Sequence, residues 1–454
     1  MKKKNFRLLA VLFASILFAA AGCKKDDDDD NTPTPAPTNE VTLEGSITSD
    51  MTLDASKTYH IKGFVFIEDG ATLTIPAGTL LEGLPGQGEN ASALVVKMGA
   101  RLIANGTEAE PIIMTGLGDG KEGKYDKEIR GLWGGLILLG KATTNNSIAK
   151  RIEGIPEQYD AFYGMDGNAG ADDGDNSGSL RYLQIRHGGT DIGAGNEING
   201  LTLGAVGNGT TIEYIEVISN KDDGVEWFGG SVNTSHILVA LCGDDAFDYD
   251  EGFHGKGQFW VAIQDNDAGD RCAEQDGGTG DDEEAAPYAQ PVIFNATYYG
   301  NNQGHFMVFR DNAAGTYANS IFANASEGIE LEYRDDKHSS YEWVSDANPG
   351  ADLMIKNNVF SNIHDGTIAT QIVAYAESGD LPPDHETVMN GLFSDNGNII
   401  EEAGIDAGNP VPASASSGSL AAKPADPFFK DAPYHGAFQP GGMNWAASWS
   451  LYFN

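Results

Sequence analysis

Acidic side chains recur in the middle of the chain at a spacing of 22 residues. Asp223, Asp245 and Asp267 share one position of this repeat, and three further acids share a position three residues later. If one repeat is one turn of a solenoid, equivalent carboxylates lie about 4.8 Å apart, where like charges repel unless a proton or a cation intervenes. Ca²⁺ binds about six to eight oxygen ligands, so the pattern predicts a structural calcium site. The predicted ligands are Asp222, Asp223, Glu226, Asp244, Asp245, Asp248, Asp267 and Asp270.

The alternative for these acids is a series of Asx-turns, in which each aspartate bonds its own backbone and faces solvent. Such turns explain single aspartates but not acids that stack at two positions of one repeat. A stretch at 166–176 is a second possible cation loop, although it lacks the spacing and the closing glutamate of an EF-hand. The acidic stretch 276–284 is interpreted as a solvated loop.

Aromatic residues flank the repeated acids. Trp227 and Tyr249 are equivalent at the 22-residue shift and stand next to the acidic positions. Aromatic faces stack on sugar rings, so these two residues are predicted to bind a glycan. The alternative is that their rings belong to the interior of the fold.

Short strands are the elements that would position these groups. From Val41 onward, runs of Val, Ile, Leu and Tyr are separated by Gly, Asn and Asp, and the chain contains 58 glycines. The same 22-residue shift aligns Val217, Val239 and Val261. Short strands that stack like residues on successive turns are typical of a parallel β-helix. A β-propeller is less favoured because its blades need about 40 or more residues with a recurring signature.

The first 22 residues are typical of a bacterial export signal, with a basic start, an apolar run and small residues before Cys23. The apolar run is too short for a permanent membrane anchor. Ala20, Ala21, Gly22 and Cys23 resemble a lipobox, which implies that Cys23 carries a lipid anchor; an ordinary secretory signal is the alternative. Five aspartates close behind Cys23 resemble an export signal for surface lipoproteins, and the Thr/Pro-rich residues that follow complete a tether over 23–39. The expected location is the outer membrane, facing the cell exterior, with the membrane as partner through the lipid.

The net charge of the chain limits the molecules that it can bind. The chain has a net charge of -39, which becomes -43 without the four cations of the signal segment. This charge repels phosphate backbones, so nucleic acid is excluded as a favoured partner.

After Cys23, only Cys242 and Cys272 remain, and an even number of cysteines in an oxidising compartment favours a disulfide. Two buried free thiols are the alternative.

Two segments carry a resemblance to known proteins. Gly63 to Gly83, with the runs 64–67 and 73–76, is similar to the first coils of exported right-handed β-helix proteins of the pectate-lyase-like superfamily. The segment 129–141 resembles a further coil, and 41–454 as a whole resembles a family of uncharacterised outer-membrane β-helix lipoproteins. The resemblance implies a fold and a location but no activity. We therefore expect an all-β, right-handed parallel β-helix over 40–426, with an aromatic C-terminal cap at 427–454 that seals the open end.

The superfamily also contains enzymes. Its lyases bind uronate through Ca²⁺ and use Arg or Lys as a base, and the cations near the acidic repeats are Lys221, Lys256, Arg271, Arg310 and Arg334. Arg310 and Arg334 are interpreted as surface ion pairs with the acids that follow them. The polygalacturonase pattern is incomplete here, because Asn233-Thr234 is followed by Ser235 and the spacing to His254 is short.

These arguments predict a cell-surface, calcium-stabilised module that binds a glycan or another envelope component. A polysaccharide lyase or hydrolase and a purely structural envelope protein are the alternatives.

Overall fold

The computed structural model describes residues 39–190, 197–304, 306–344 and 353–454. The predicted signal peptide 1–22, the anchor Cys23 and the tether up to residue 38 lie outside these residues. In the described part of the chain, no helix combines the length and the apolar character needed to cross a bilayer.

Short parallel strands dominate the described chain, and 27 of them form one continuous sheet. The N-terminal strands are β1 (Glu40–Ile47), β2 (Met51–Thr52), β3 (Thr58–Ile67), β4 (Thr72–Pro76), β5 (Leu80–Gly83), β6 (Ala93–Val96), β7 (Arg101–Asn105), β8 (Ile112–Gly116) and β9 (Leu136–Leu139). An antiparallel pair in an insertion follows, β10 (Lys150–Arg151) and β11 (Phe162–Tyr163).

The central strands carry the acidic repeat. They are β12 (Gly178–Arg186), β13 (Leu201–Gly204), β14 (Thr211–Ile218), β15 (Val225–Phe228), β16 (Asn233–Ala240), β17 (Phe247–Asp250), β18 (Lys256–Ile263) and β19 (Ala273–Asp276).

The C-terminal coils contain the remaining strands and one α-helix. The strands are β20 (Val292–Phe294), β21 (Thr297–Tyr299), β22 (Met307–Arg310), β23 (Gly315–Ala318), β24 (Ile321–Ala325), β25 (Ile329–Tyr333), β26 (Leu353–Lys356), β27 (Val359–Ile363), β28 (Ile372–Ala376) and β29 (Ile399–Ile400). The helix is α1 (His385–Ser394). Short 3-10 turns occur at Gly88–Asn90, Asp166–Asn168, Asp282–Glu284, Ser340–Trp343 and Ile368–Thr370.

The chain winds into coils because each strand pairs with a strand of the next coil rather than with its neighbour in sequence. β14 pairs with β16, and β16 pairs with β18, all in parallel. Tyr214 in β14, His236 in β16 and Phe259 in β18 have φ values of 58°, 55° and 61°, and each turns its strand through a left-handed corner. The residue after each corner is buried in the interior: Ile215, Ile237 and Trp260.

The predicted 22-residue repeat holds for two coils and is wrong for the third. Val217 pairs with Val239 as predicted. Val239, however, pairs with Ala262, which is 23 residues further on, and Phe247 pairs with Ala273 at a shift of 26 residues. The third coil therefore contains one extra residue before β18 and three more in the loop after β18.

The C-terminal end of the apolar interior is covered by α1. Met389, Leu392 and Phe393 are buried against the last coils, and the ring of Phe393 lies 5.1 Å from that of Phe360. This burial explains why a short helix is stable in an otherwise all-β chain, since helices of this length depend on tertiary packing.

The predicted aromatic cap is present, but it lies along a side face of the β-helix instead of over the open end. Phe438 and Leu451 pack on outward apolar residues of β14, β16 and β18. The buried carboxylate of Glu216 accepts the N–H groups of Leu451 and Tyr452, both at 2.8 Å. The outward face of these strands is apolar and needs a cover, which the C-terminal segment provides.

The predicted disulfide is wrong, because Cys242 and Cys272 are both buried free thiols. Cys242 follows β16, whereas Cys272 precedes β19, where Ala273 pairs with Phe247. The two cysteines therefore lie at opposite ends of equivalent turns on neighbouring coils. Burial raises the pKa of Cys242 to about 12 and also raises that of Cys272, as expected for inert interior thiols.

Candidate metal centre

Outward-facing acids on three neighbouring strands form a ladder. In the register of β15, β17 and β19, Glu226 pairs with Asp248, and Asp248 pairs with Glu274. Side chains alternate between the faces of a strand, so Trp227 and Tyr249, which follow the first two acids, point into the interior. The three carboxylates therefore lie above one another on the outer face.

A second row of acids occupies the turn before these strands. Asp223 and Asp245 are buried there. Oδ1 of Asp223 accepts the backbone N–H of Asp245 at 2.9 Å, and Oδ1 of Asp245 accepts the backbone N–H of Arg271. Each turn carboxylate is thus tied to the backbone of the following coil, and this bond fixes the spacing of the row.

The two rows bring carboxylate oxygens close enough to share a cation. Within each of three groups, ligand oxygens lie within 4.8 Å of one another: Asp222, Asp223 and Asp244; Asp223, Glu226 and Asp248; and Asp244, Asp245 and Asp270. In the second group, which we call the central group, Oδ1 of Asp248 is buried and has no hydrogen-bond partner in the described chain. Because a buried acceptor without a donor is costly, this oxygen is suited to a cation.

Seven of the eight predicted ligands belong to these groups, and Asp267 does not. Asp267 is exposed in the loop after β18, where its N–H donates to the carboxylate of Asp265 at 2.8 Å. The prediction is wrong for this residue because the extra residues of the third coil move it away from the ladder. This loop has the Asx-turn geometry that was the alternative for the whole acidic repeat.

Two insertions form walls above the ladder and turn it into a cleft of about 490 Å³. The segment between β9 and β12 contributes Lys150, Glu153 and Tyr163, and the segment after β19 contributes Thr279. The buried side chain of Asn199 donates to Glu153 at 3.2 Å and also to Glu226. The side-chain amide of Asn199 therefore links Glu153 of the wall to Glu226 of the ladder.

Basic side chains neutralise the two ends of the cleft but not its centre. Arg310 donates through Nε to Asp276 at 2.7 Å and through Nη2 to Glu274 at 2.9 Å. Nζ of Lys150 lies 2.8 Å from the buried carboxylate of Glu251. Among the described residues, no lysine or arginine forms an ion pair with the central group.

Burial and repulsion between neighbouring carboxylates raise the pKa values of the acids in the cleft. Burial, together with the charge of Glu197, raises the pKa of Asp222 to about 8. Burial also raises the pKa of Glu153 and that of Glu274 to about 7. The pKa values of the three central acids are raised as well, by burial and by the neighbouring carboxylates. Either protons or a cation must therefore occupy the cleft at neutral pH.

The predicted glycan-stacking pair is wrong, because Trp227 and Tyr249 are only 0% and 1% exposed. Trp227 stacks on Trp260 with ring centroids 4.8 Å apart, and the hydroxyl of Tyr249 donates to the carbonyl of Ala314 at 2.6 Å. The alternation of faces along a strand decides this outcome, since acids at outward positions force the next residue inward.

The sequence analysis does not assign several residues of the cleft to a site, among them Glu153, Glu274, Asp276 and Arg310. Asp276 was interpreted as part of a solvated loop, and Arg310 as a surface ion pair with Asp311. A shift of 26 residues aligns Glu274 with Asp248, and that signal was hidden by the unequal coil length. Glu153 comes from a distant insertion, for which the sequence contains no signal.

Comparison with known proteins places this geometry in a family. A family model described as a pectate-lyase-like β-helix domain matches residues 45–397, which is most of the chain. No curated protein and no solved structure matches the chain. The match spans all three acid groups, and with the continuous parallel sheet it confirms the predicted right-handed parallel β-helix. The chain therefore belongs to the pectate-lyase-like β-helix domain family.

Proposed function

We propose that the protein is a calcium-binding surface module, whose cleft binds Ca²⁺ through the central group and binds an anionic glycan through that ion. The observation that carries the proposal is the central group itself. Asp223, Glu226 and Asp248 converge within 4.8 Å, and one buried oxygen of Asp248 has no donor among the described residues.

The charge of the central group supports a divalent cation. Three carboxylates without an ion-paired base repel one another strongly in a partly desolvated site. Ca²⁺ is a hard cation that prefers oxygen ligands, and a flexible arrangement of carboxylates suits its irregular geometry better than the strict octahedron of Mg²⁺. Ca²⁺ binding would replace protons that otherwise stay on these acids.

The open side of the cleft supports a glycan partner. Three carboxylates provide at most about six oxygens, and Ca²⁺ accepts about six to eight, so an open coordination position is available to water or to an acidic sugar. Lys150 and Arg151 line the same cleft and add positive charge near its rim. A carboxylate of a uronic acid is the ligand group that fits both features.

A calcium titration tests the metal site. Isothermal titration of the folded chain is expected to give binding that Asp248→Asn and Asp223→Asn each weaken at least about tenfold, which corresponds to about 1.4 kcal/mol. Asp267→Asn is the matched control, because it removes an acid from the same region outside the ladder. Equal affinity in the central variants and the control would refute the site.

Retention on immobilised polygalacturonate or alginate tests the glycan. We expect retention in Ca²⁺, loss in EDTA and loss in Asp248→Asn. Retention that is insensitive to EDTA would refute a calcium-bridged ligand.

A second candidate function, polysaccharide cleavage, has one observation in its favour. Glu153 and Asp222 line the cleft and have pKa values raised to about 7 and 8, a range suited to general acid catalysis. Arg310 does not suit the role of a lyase base. Burial alone would lower the pKa of Arg310, but the hydrogen bonds and negative charge of Asp276 and Glu274 raise it by more than burial lowers it. The guanidinium therefore stays protonated. Release of unsaturated products or reducing ends from the same polysaccharides would favour an enzyme over a binder.

We also propose that the module is exported and anchored to the outer membrane through Cys23. The export-like segment and the lipobox-like residues before Cys23 support this proposal. Metabolic labelling with a fatty acid is expected to mark the wild-type chain and not Cys23→Ser. Protease treatment of intact cells then tests whether the β-helix faces the exterior.

A further inference from the structure

A separate groove lies on the outer face of the N-terminal coils, between β1, β3 and the loop at 156–160. Its volume is about 450 Å³, and its lining includes Phe64, Phe66 and Tyr159 together with several charged side chains. No residue of this groove belongs to the acidic cleft. The groove is therefore a second concave surface with a different chemistry.

Three aromatic rings pack together beneath this groove: Tyr159 is half-exposed at its surface, and Phe64 and Phe66 are buried under it, at 4% and 6% exposure. The rings of Phe64 and Phe66 lie side by side, with centroids 6.4 Å apart and an angle of 24° between their planes. The half-exposed ring of Tyr159 rests on both, at 5.3 Å and 5.1 Å. The backbone carbonyl of Tyr159 also accepts a hydrogen bond from Arg151, which holds this part of the loop in place before any ligand binds.

The charged side chains of the groove neutralise one another. Lys62 pairs with Glu44 at 3.0 Å. Lys97 pairs with Glu68 at 2.9 Å and with Asp160 at 3.6 Å. These two lysines and three acids leave a small negative excess, which gives a polyanion no electrostatic reason to bind. They still present donors and acceptors on both sides of the aromatic rings.

The groove continues into a neighbouring depression of about 430 Å³. Lys97 and Asp160 line both cavities, and the second cavity adds Lys141 and the exposed ring of Phe162. Arg151 lies over the ring of Phe162 at 4.7 Å from its centroid, which stabilises this ring at the surface. The two cavities together make an extended trough with aromatic rings at two places.

We propose that this trough binds a neutral oligosaccharide, independently of calcium. A neutral sugar has apolar C–H faces that pack on aromatic rings and hydroxyl groups that exchange hydrogen bonds with paired charges, which is the combination that the trough offers. The two adjoining cavities, of about 450 and 430 Å³, offer room for a chain of sugars rather than a single residue. The site goes beyond the calcium-dependent cleft and requires neither the central group nor an ion.

A glycan microarray with neutral β-glucan, xylan and mannan oligosaccharides, probed in EDTA, tests this site. We expect the full chain to bind at least one neutral series under these conditions. Tyr159→Ala should weaken that binding at least about tenfold, as truncation of an aromatic anchor commonly does. Lys97→Met, which keeps most of the packing but removes the paired charge, should weaken it as well. Asp248→Asn is the control in the acidic cleft and should leave it unchanged.

The two glycan sites are separable by these variants. Loss of all neutral-glycan binding in Asp248→Asn, with full binding in Tyr159→Ala, would overturn the trough as the site. Absence of binding to every neutral glycan in the wild-type chain would overturn it as well. A melting temperature of Tyr159→Ala within a few degrees of wild type shows that its loss of binding is local. If Tyr159→Ala unfolds, the binding of Lys97→Met is compared with that of wild type instead.

Discussion

Glu226 and Asp248 occupy directly paired positions on neighbouring parallel strands, on the outer face of the β-helix. In a parallel ladder such partners lie about 4.8 Å apart, and neither carboxylate forms an ion pair with a lysine or arginine of the described chain. The fold thus holds two buried or half-buried acids at a distance that a proton or a shared cation must make tolerable.

The stability of the metal-free protein should fall as the pH rises from about 4 to about 8. The pKa values of Asp222, Glu153 and Glu274 are raised to about 8, 7 and 7 in the folded state, so the folded chain binds more protons than the unfolded chain in this interval. Thermal unfolding in EDTA across this range measures the effect. Ca²⁺ should raise the melting temperature more at pH 8 than at pH 5, because it replaces the missing protons.

A flat stability profile in EDTA would contradict this explanation. Asp222→Asn combined with Glu153→Gln is the matched variant, since it removes two of the shifted groups and should reduce the slope.

Arg310→Gln should create additional calcium binding. Arg310 pairs with Asp276 and, together with Arg271, with Glu274. Its replacement by a neutral side chain leaves Asp276 without an ion-paired base among the described residues and Glu274 with Arg271 alone. Isothermal titration should then report a stoichiometry higher by about one ion. Arg181→Gln is the control, because Arg181 pairs with Glu213 outside the cleft. An unchanged stoichiometry in Arg310→Gln would show that the arginine does not stand in for a metal.

Trp227→Ala should destabilise the fold instead of acting on a ligand. Its ring is fully buried between Trp260 and Phe253, so truncation leaves a large cavity and costs about 3–5 kcal/mol in the free energy of unfolding. Urea unfolding measures this cost. A loss below about 1 kcal/mol together with a selective loss of glycan retention would restore the sequence-based prediction of a binding role.

Glu216→Ala should release the C-terminal segment. The variant leaves the buried N–H of Leu451 and the N–H of Tyr452 without their acceptor, at an expected cost of about 2 kcal/mol. Limited proteolysis should then cut the last residues faster, and the melting temperature should fall. Glu213→Ala, which breaks only a partly exposed ion pair with Arg181, should cost less than about 1 kcal/mol. Equal effects of the two variants would contradict the role of Glu216 in holding the C-terminal segment against the β-helix.

The sequence predicts the solenoid well because the repeat is local. Val217 and Val239 are equivalent in both sequence and structure. So are Asp223 and Asp245, where the carboxylate of Asp223 accepts the backbone N–H of Asp245. The prediction fails at Asp267, where the loop after β18 adds residues and shifts the register to 26. A fixed shift cannot detect such an insertion, and Glu274 therefore went unnoticed as the true successor of Asp248.

The site is less predictable than the fold for two physical reasons. The inward direction of Trp227 and Tyr249 follows from the alternation of faces once Glu226 and Asp248 are known to point outward, so this part was available in the sequence. The wall of the cleft could not be predicted from the sequence. Glu153 reaches the ladder from an insertion whose position depends on tertiary contacts, such as the hydrogen bond from Asn199.

A crystal structure of the chain grown with Ca²⁺, with anomalous diffraction data, locates any bound calcium ion. We predict an anomalous peak bounded by the carboxylates of Asp223, Glu226 and Asp248, with the previously unpartnered Oδ1 of Asp248 at about 2.3–2.6 Å from the ion. A cleft without such a peak at saturating Ca²⁺, or a peak only at exposed acids such as Asp267, would contradict this prediction.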